Sequence, residues 1–445
     1  MTNDGLVTID RGAPEYEAAR RATVWNARTP DRHPDVIVHA RTADDVVAAV
    51  RAARDAGQRI GVRSGGHSWA GSHLRDGGML IDLSRMTAIE VDAPGFTATV
   101  EPGCHGNVLA HTLAEHDRFF PGGHCVGVGV GGYLLQGGYG WNGRLHGPAC
   151  MSVEAIDVVT ADGELVRADA FQHPDLFWAA RGSGPGFFGV VTRFHLRLYP
   201  KPKVIANALY LYPLEVLEDV FRWAYEIGPR VPPRMEMMVL VHRDADGEPE
   251  VVVTGPVLAD SEEEAREILA LLETCPVVDR AKAALPYAPG RMEDLYAGVH
   301  ANYPDDHRYA VDNMWTHAPI EELLPGLRRI AETLPEGTSH LLWMNWAPSH
   351  PETPARPDMA YSVEDEIYIA LYAIWQDPGR DEANIAWPRE HMTSMAPLAS
   401  GIQLADENLG ERPARFLSDA HDQRYDAIRS AYDPDGRFHG WMGRP

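Results

Sequence analysis

The chain has 445 residues, about three times a common domain length of ~150, so two or three domains are expected; 44% hydrophobic and 23% charged residues mark it as globular. A net charge of −24 argues against nucleic acid and anionic membranes as partners, because both would repel it. Cys104, Cys125, Cys150 and Cys275 are too few for a disulfide framework, no apolar run reaches the ~18 residues of a membrane span, and MTNDGLVTIDRG shows no signal-peptide pattern, so the expected compartment is cytoplasmic.

Asp35 to Ala40 reads as a short buried strand. Thr42 and Asp45 then form a capping box ahead of DVVAAVRAARDA, and Gly57 closes that helix. The strand QRIGVR follows and ends in a glycine-rich loop, Arg63–Gly71, with the sequence RSGGHSWAG. Strands are predicted at Met79–Leu83, Ile89–Asp92 and Thr97–Glu101, and a helix from about Gly106 to Asp117. A second glycine-rich stretch, Pro121–Gly147, has glycine every second or third residue, which suits neither a regular helix nor an ordinary strand. VEAIDVV and ELVRA form a hairpin, a short helix covers Pro174–Ala180, and VVTRFHLRLY is a strand. Up to about residue 200 this is one α+β domain.

From about Lys203 to Ser400 glycine thins out. RMEMMVLVH and EVVVTGPV make a hairpin, and Ser261 with Glu264 caps a helix to Glu273. Further strands are predicted at 308–315, 340–346 and 366–375. In the last, Glu366, Tyr368 and Tyr372 share one face while Ile367, Ile369, Leu371 and Trp375 share the other. Residues 401–445 end in a helix that stops at YDPDG and are too small to fold alone, so the expected division is 1–200, 201–400 and a returning tail.

Two motifs fail on context. GVGVGG at 127–132 fits the dinucleotide pattern, but RFFPGGHCV is a poor buried strand and glycines persist beyond the motif where a helix should begin. HTLAEH spaces its histidines five apart, which places them on different helical faces, so no metal site is expected. The two glycine-rich loops are different. Each carries one nucleophile, His67 or Cys125, able to attack an electron-poor ring, and Arg63 with a fan of backbone donors suggests a nest for a pyrophosphate.

RSGGHSWAG, PGGHCVGVGVGGYLLQGGYG, IDVVTADG, FFGVVTRF and YDPDGRF together resemble the berberine-bridge-enzyme-like branch of the vanillyl-alcohol-oxidase superfamily. The resemblance covers roughly the first two hundred residues and the tail. It implies an α+β, two-domain FAD-binding fold of the PCMH type, with an inserted substrate domain of antiparallel sheet flanked by helices. It also implies FAD bonded to His67 through the 8α-methyl and to Cys125 through the 6-carbon. Arg63, Ser64, Gly65, Gly66, Ser68, Gly122, Gly131, Gly132, Gly138 and Gly189 match cofactor contacts, and Val191 falls in the adenine-side strand. Val130 matches the position lining oxygen's approach, where a small side chain is typical of oxidases.

The chain departs from the family twice. Tyr133 replaces a histidine that commonly hydrogen-bonds the flavin pyrimidine, a role a phenol can also fill. The tail segment GIQLADENL lacks the usual tyrosine base; Asn408 is expected to face the flavin, with Glu366, Tyr368 and Tyr372 as base candidates and Tyr309 and Asn313 behind them. Trp315, Trp343, Trp346, Tyr368 and Tyr372 are expected to line the substrate site. The expected activity is oxidation of an alcohol, an amine or a natural-product C–H with O2 as acceptor and hydrogen peroxide as product. A same-fold dehydrogenase and a non-catalytic flavin carrier are the alternatives, and the partners are a small molecule and O2.

Overall fold

A computed structural model describes residues 6–444. Strands Val36–His39, Met79–Asp82 and Ile60–Arg63 run parallel, with Val7–Asp10 antiparallel at one edge. The helix Ala43–Asp55 that links the first two parallel segments of chain has the expected reciprocal cap: Asp45 N–H donates to Thr42 Oγ1 and Thr42 N–H to Asp45 Oδ2, both at 3.1 Å. Its buried Val46, Ala49, Val50 and Ala53 join a core shared with a five-stranded antiparallel sheet of Ile89–Asp92, Thr97–Val100, Val190–Arg197, Val153–Val159 and Leu165–Asp169.

An eight-stranded antiparallel sheet spans Val204 to Trp375. Helices Leu217–Ile227, Ile320–Glu332 and Asp381–Met395 cover one of its faces, where Ala206, Ala208, Tyr210, Tyr212 and Trp343 are buried. The alternate residues of the same strands point the other way, towards the glycine-rich half. This α+β arrangement agrees with the expectation. Among the strands the sequence did not announce are Val204–Pro213 and Ala283–Gly290 of this sheet. The second contains Pro286 and Pro289 and pairs with Val204–Pro213 alone, as a strand with missing donors must.

The tail touches both halves. Gly401 bridges Trp315 on the eight-stranded sheet, and Phe438 bridges Ile60 on the parallel one. Between them the helix Asp419–Tyr432 buries Tyr425, whose hydroxyl donates to the Gly186 carbonyl. Among the described residues, no helix is long and apolar enough to cross a membrane.

Candidate active site

A cavity of about 820 Å³ lies between the glycine-rich half, the open face of the eight-stranded sheet and the tail. The loops around His67 and Cys125 meet in its wall by direct backbone packing. A Cβ on Gly65 would stand 2.8 Å from Gly129 Cα, and one on Gly129 equally close to Gly65 Cα. A Cβ on Gly131 would collide with Ser64 Oγ. Only glycine lets the two loops approach this closely, and the approach leaves their backbone facing the cavity.

Arg63, Ser64, Gly65, Gly66, His67, Ser68, Cys125, Gly131, Gly132, Tyr133, Gly189, Val191, Tyr368 and Tyr372 all line the cavity. Five expected residues do not: Gly122, Val130, Gly138, Glu366 and Asn408. Val130 begins the helix Val130–Leu135 and turns into the core, while Val128, on the other side of Gly129, faces the cavity. Gly138 takes φ +83° and packs beside Tyr133 and Ala149. Glu366 precedes the strand Ile367–Trp375, and its carbonyl accepts from the N–H groups of Trp346 and Ala347, away from the site. Asn408 donates its amide to Asp312 Oδ2 at 3.1 Å, in a buried cluster with Arg412.

Two lining residues do other work than expected. The Arg63 guanidinium is bonded to Asp82 Oδ1, the Thr23 carbonyl and the Gly65 carbonyl, so it braces the loop and leaves anion contacts to the backbone. The Tyr133 hydroxyl donates its proton to the Pro121 carbonyl at 2.6 Å, and its ring packs against Gly123 and Gly138. Of the other aromatic candidates, Trp315 lines the cavity, Trp343 lies on the helix side, and Trp346 donates to Glu364 outside it. Tyr309 donates to the Pro304 carbonyl, and Asn313 ties down the tail through Gln403 and Asp406 backbone groups.

The residue that organises the polar end of the cavity is Asp406. Trp69 Nε1 donates to Asp406 Oδ1 at 2.6 Å, and the hydroxyls of Tyr372 (2.7 Å) and Tyr368 donate to Oδ2. Trp69 stands edge-on to His67 with ring centroids 5.5 Å apart, so one side chain separates the acid from the proposed anchor. Burial raises the Asp406 carboxyl above its ordinary range, against the three hydrogen bonds that favour its ionised form. Burial, with Asp406 next, holds Tyr368 and Tyr372 protonated. In the sequence Asp406 is marked only as an acid that follows Leu404 and Ala405 in a tail segment without the family's tyrosine. Glu407 extends the junction, accepting from Ser72 Oγ.

Burial lowers His67 to about 4, so its imidazole is neutral near pH 7; it stacks on Trp25 with centroids 4.1 Å apart. Burial pushes the Cys125 thiol up to about 12, with Asp406 adding to the shift. Among the described residues, His67 Nε2, Gln136 Oε1, the Tyr139 hydroxyl and Trp315 Nε1 are buried around this cavity without hydrogen-bond partners. Each such group costs about 1–3 kcal/mol unless something meets it. Donors and acceptors of this kind around a glycine cradle fit a flat heteroaromatic group carrying carbonyls and ring nitrogens, as a flavin does.

A glycine cradle opposite a buried acid and two tyrosines suits a flavin-dependent oxidoreductase. The comparisons agree. The FAD binding domain family matches residues 34–169. Across 430 residues the chain is 33% identical to the FAD-linked oxidoreductase janO of Penicillium janthinellum, covering 96% of this chain and 94% of that protein. In fold it matches 6-hydroxy-D-nicotine oxidase from Arthrobacter nicotinovorans with TM-score 0.85 at 23% identity, covering 98% and 97% of the two chains. Phl p 4 matches with TM-score 0.81 at 20% identity over 98% of this chain and 96% of its own; its wild type is a glucose dehydrogenase and an isoleucine-to-valine variant a glucose oxidase. The chain therefore belongs to the FAD-linked oxidoreductases, and it is an FAD-dependent enzyme.

Proposed function

We propose that the protein is an oxidase that holds FAD covalently through His67 and Cys125 and uses Asp406 as the base that takes a proton from the substrate. The observation that carries the reading is the Asp406 carboxylate held by Trp69, Tyr368 and Tyr372 on the wall of the cavity that His67 and Cys125 also line. When bound, FAD would supply the acceptor for one hydride, that is, a proton and two electrons. Ser64, Gly65, Gly66 and Gly131 would hold it along the cradle, in a cavity that Val191 and Phe438 also line.

The protein groups divide the remaining work. A neutral His67 offers its ring lone pair for attachment, whereas Cys125 must lose a tightly held proton. Asp406, raised by burial, is a stronger base than an exposed aspartate and accepts the proton of a substrate O–H or N–H. Trp69 and the two tyrosines fix the carboxylate and limit its orientation. Val128 favours O2 as acceptor: in Phl p 4 a valine in place of isoleucine goes with oxidase activity, and this chain presents valine on the cavity wall.

Acid precipitation of the purified protein tests the attachment. Yellow colour is expected to stay with the polypeptide in the wild type and in His67→Ala and Cys125→Ala singly, and to leave the double variant. Colour that washes out of the wild type ends the covalent reading. Stopped-flow mixing of the reduced protein with O2 tests the acceptor: slow reoxidation by O2, with fast reoxidation by a quinone, would make the enzyme a dehydrogenase.

A further inference from the structure

The open face of the eight-stranded sheet carries its side chains in rows that the strand register fixes. One row runs Leu211, Val252, Leu240, Leu342, Ala370 across five strands. The next runs Leu209, Thr254, Met238, Met344, Tyr368. Thr254 is the polar member of the aliphatic part, and its hydroxyl is already donated to Asn207 Oδ1 at 3.0 Å. Leu209, Leu211, Met238 and Leu240 are only partly buried although each lines the cavity, so apolar surface is left facing it. The third row is polar: Glu250 opposite His242, then His340 opposite Tyr372. His242 Nε2 lies 3.1 Å from Glu250 Oε1, and the His340 ring stacks on Tyr372 at 4.8 Å.

We propose that the substrate is an extended, mainly hydrocarbon molecule, polycyclic or long-chain, whose apolar body lies along the two aliphatic rows and whose polar groups point towards the third. The inference rests on the reading that this cavity takes the substrate. A sugar is the wrong partner for such a wall. It carries a hydroxyl on nearly every carbon, and hydroxyls stripped of water against leucine, valine and methionine go unpaired. Phl p 4 acts on glucose, so the shared fold does not decide the substrate; the side chains of these rows do. The apolar body instead loses contact with water at no polar cost.

The test is a titration of the FAD-loaded wild-type protein, read as a perturbation of flavin absorbance, with androst-4-ene-3,17-dione and with cellobiose as probes. The steroid is expected to perturb the spectrum at a concentration at least ~100-fold lower than the disaccharide. Leu240→Asn and Leu211→Asn are each expected to weaken the steroid about tenfold while FAD content stays unchanged. Cellobiose acting at an equal or lower concentration, no perturbation by the steroid, or unchanged steroid affinity in both variants would overturn the proposal. Should a variant lose its FAD, the wild-type comparison of the two probes decides alone. The titration needs no turnover, so it stands even where the oxidase reading fails.

Discussion

The wall built from Arg63–Gly71 and Gly123–Gly132 presents backbone and glycines to the cavity, whereas the sheet opposite presents leucines, methionines and tyrosines. On the first wall the determining feature is what is absent: no Cβ between Gly65 and Gly129. On the second it is which side chain stands at each register position and what the tail brings against it. A backbone wall suits a cofactor shared by a whole family. A side-chain wall can be rewritten position by position without disturbing the first, which suits a fold that carries many substrates.

Four experiments break or sharpen that contrast. The largest effect is expected on the side-chain wall. Asp406→Asn should lower kcat/KM by about 10²–10⁴-fold, the usual range for losing a general base, with FAD content unchanged. Because burial raises the Asp406 carboxyl, wild-type kcat/KM should climb with pH through an apparent pKa above the ordinary aspartate range. That limb should vanish in the variant; a limb that persists assigns the base elsewhere.

On the backbone wall the effects should fall on stability. Asp82 braces the loop through Arg63, and its carboxyl is lowered: burial opposes this, but the bonds from His39 and Arg63 prevail. A group lowered in the folded state contributes stability that is fully present above its unfolded pKa and is lost as pH falls through the folded one. Acid unfolding should therefore begin below the ordinary aspartate range. Asp82→Asn should cost about 3–5 kcal/mol at neutral pH by stranding Arg63, a difference from wild type that should begin to shrink only as pH falls below the ordinary aspartate range. Denaturant titrations at pH 7 and pH 3 would measure both.

Gly129→Ala places a Cβ against Gly65 and should cost about 1–3 kcal/mol, with lowered FAD retention, read as Tm and flavin absorbance. Full retention of both would show that the loops have slack. The smallest effect is expected for Tyr133→Phe. Losing the bond to the Pro121 carbonyl should cost about 0.5–1.5 kcal/mol, while the flavin reduction potential stays where it was. A shifted potential would return Tyr133 to the flavin.

The sequence read well where local chemistry is decisive. Thr42 with Asp45, Gly57, the loops around His67 and Cys125, and the face shared by Tyr368 and Tyr372 all follow from capping, glycine content or strand alternation, and the structure puts His67, Cys125 and both tyrosines on one cavity. The misplacements each turned on a neighbour distant in sequence. Val130 and Val128 differ only in which side of Gly129 faces the core. Arg63 and Tyr133 found acceptors in Asp82 and the Pro121 carbonyl, and Asn408 was drawn to Asp312.

By itself, then, the sequence determined the α+β class, the two glycine-rich loops and FAD as the cofactor, because glycine spacing and the motifs that carry the resemblance are properties of short stretches. Only the tertiary structure decided the acid. Asp406 becomes a buried, raised carboxyl because Trp69 comes from the first loop, Tyr368 and Tyr372 from a strand more than thirty residues upstream, and the tail returns between them. Burial and hydrogen bonding set its basicity, and both depend on neighbours that chain order keeps apart.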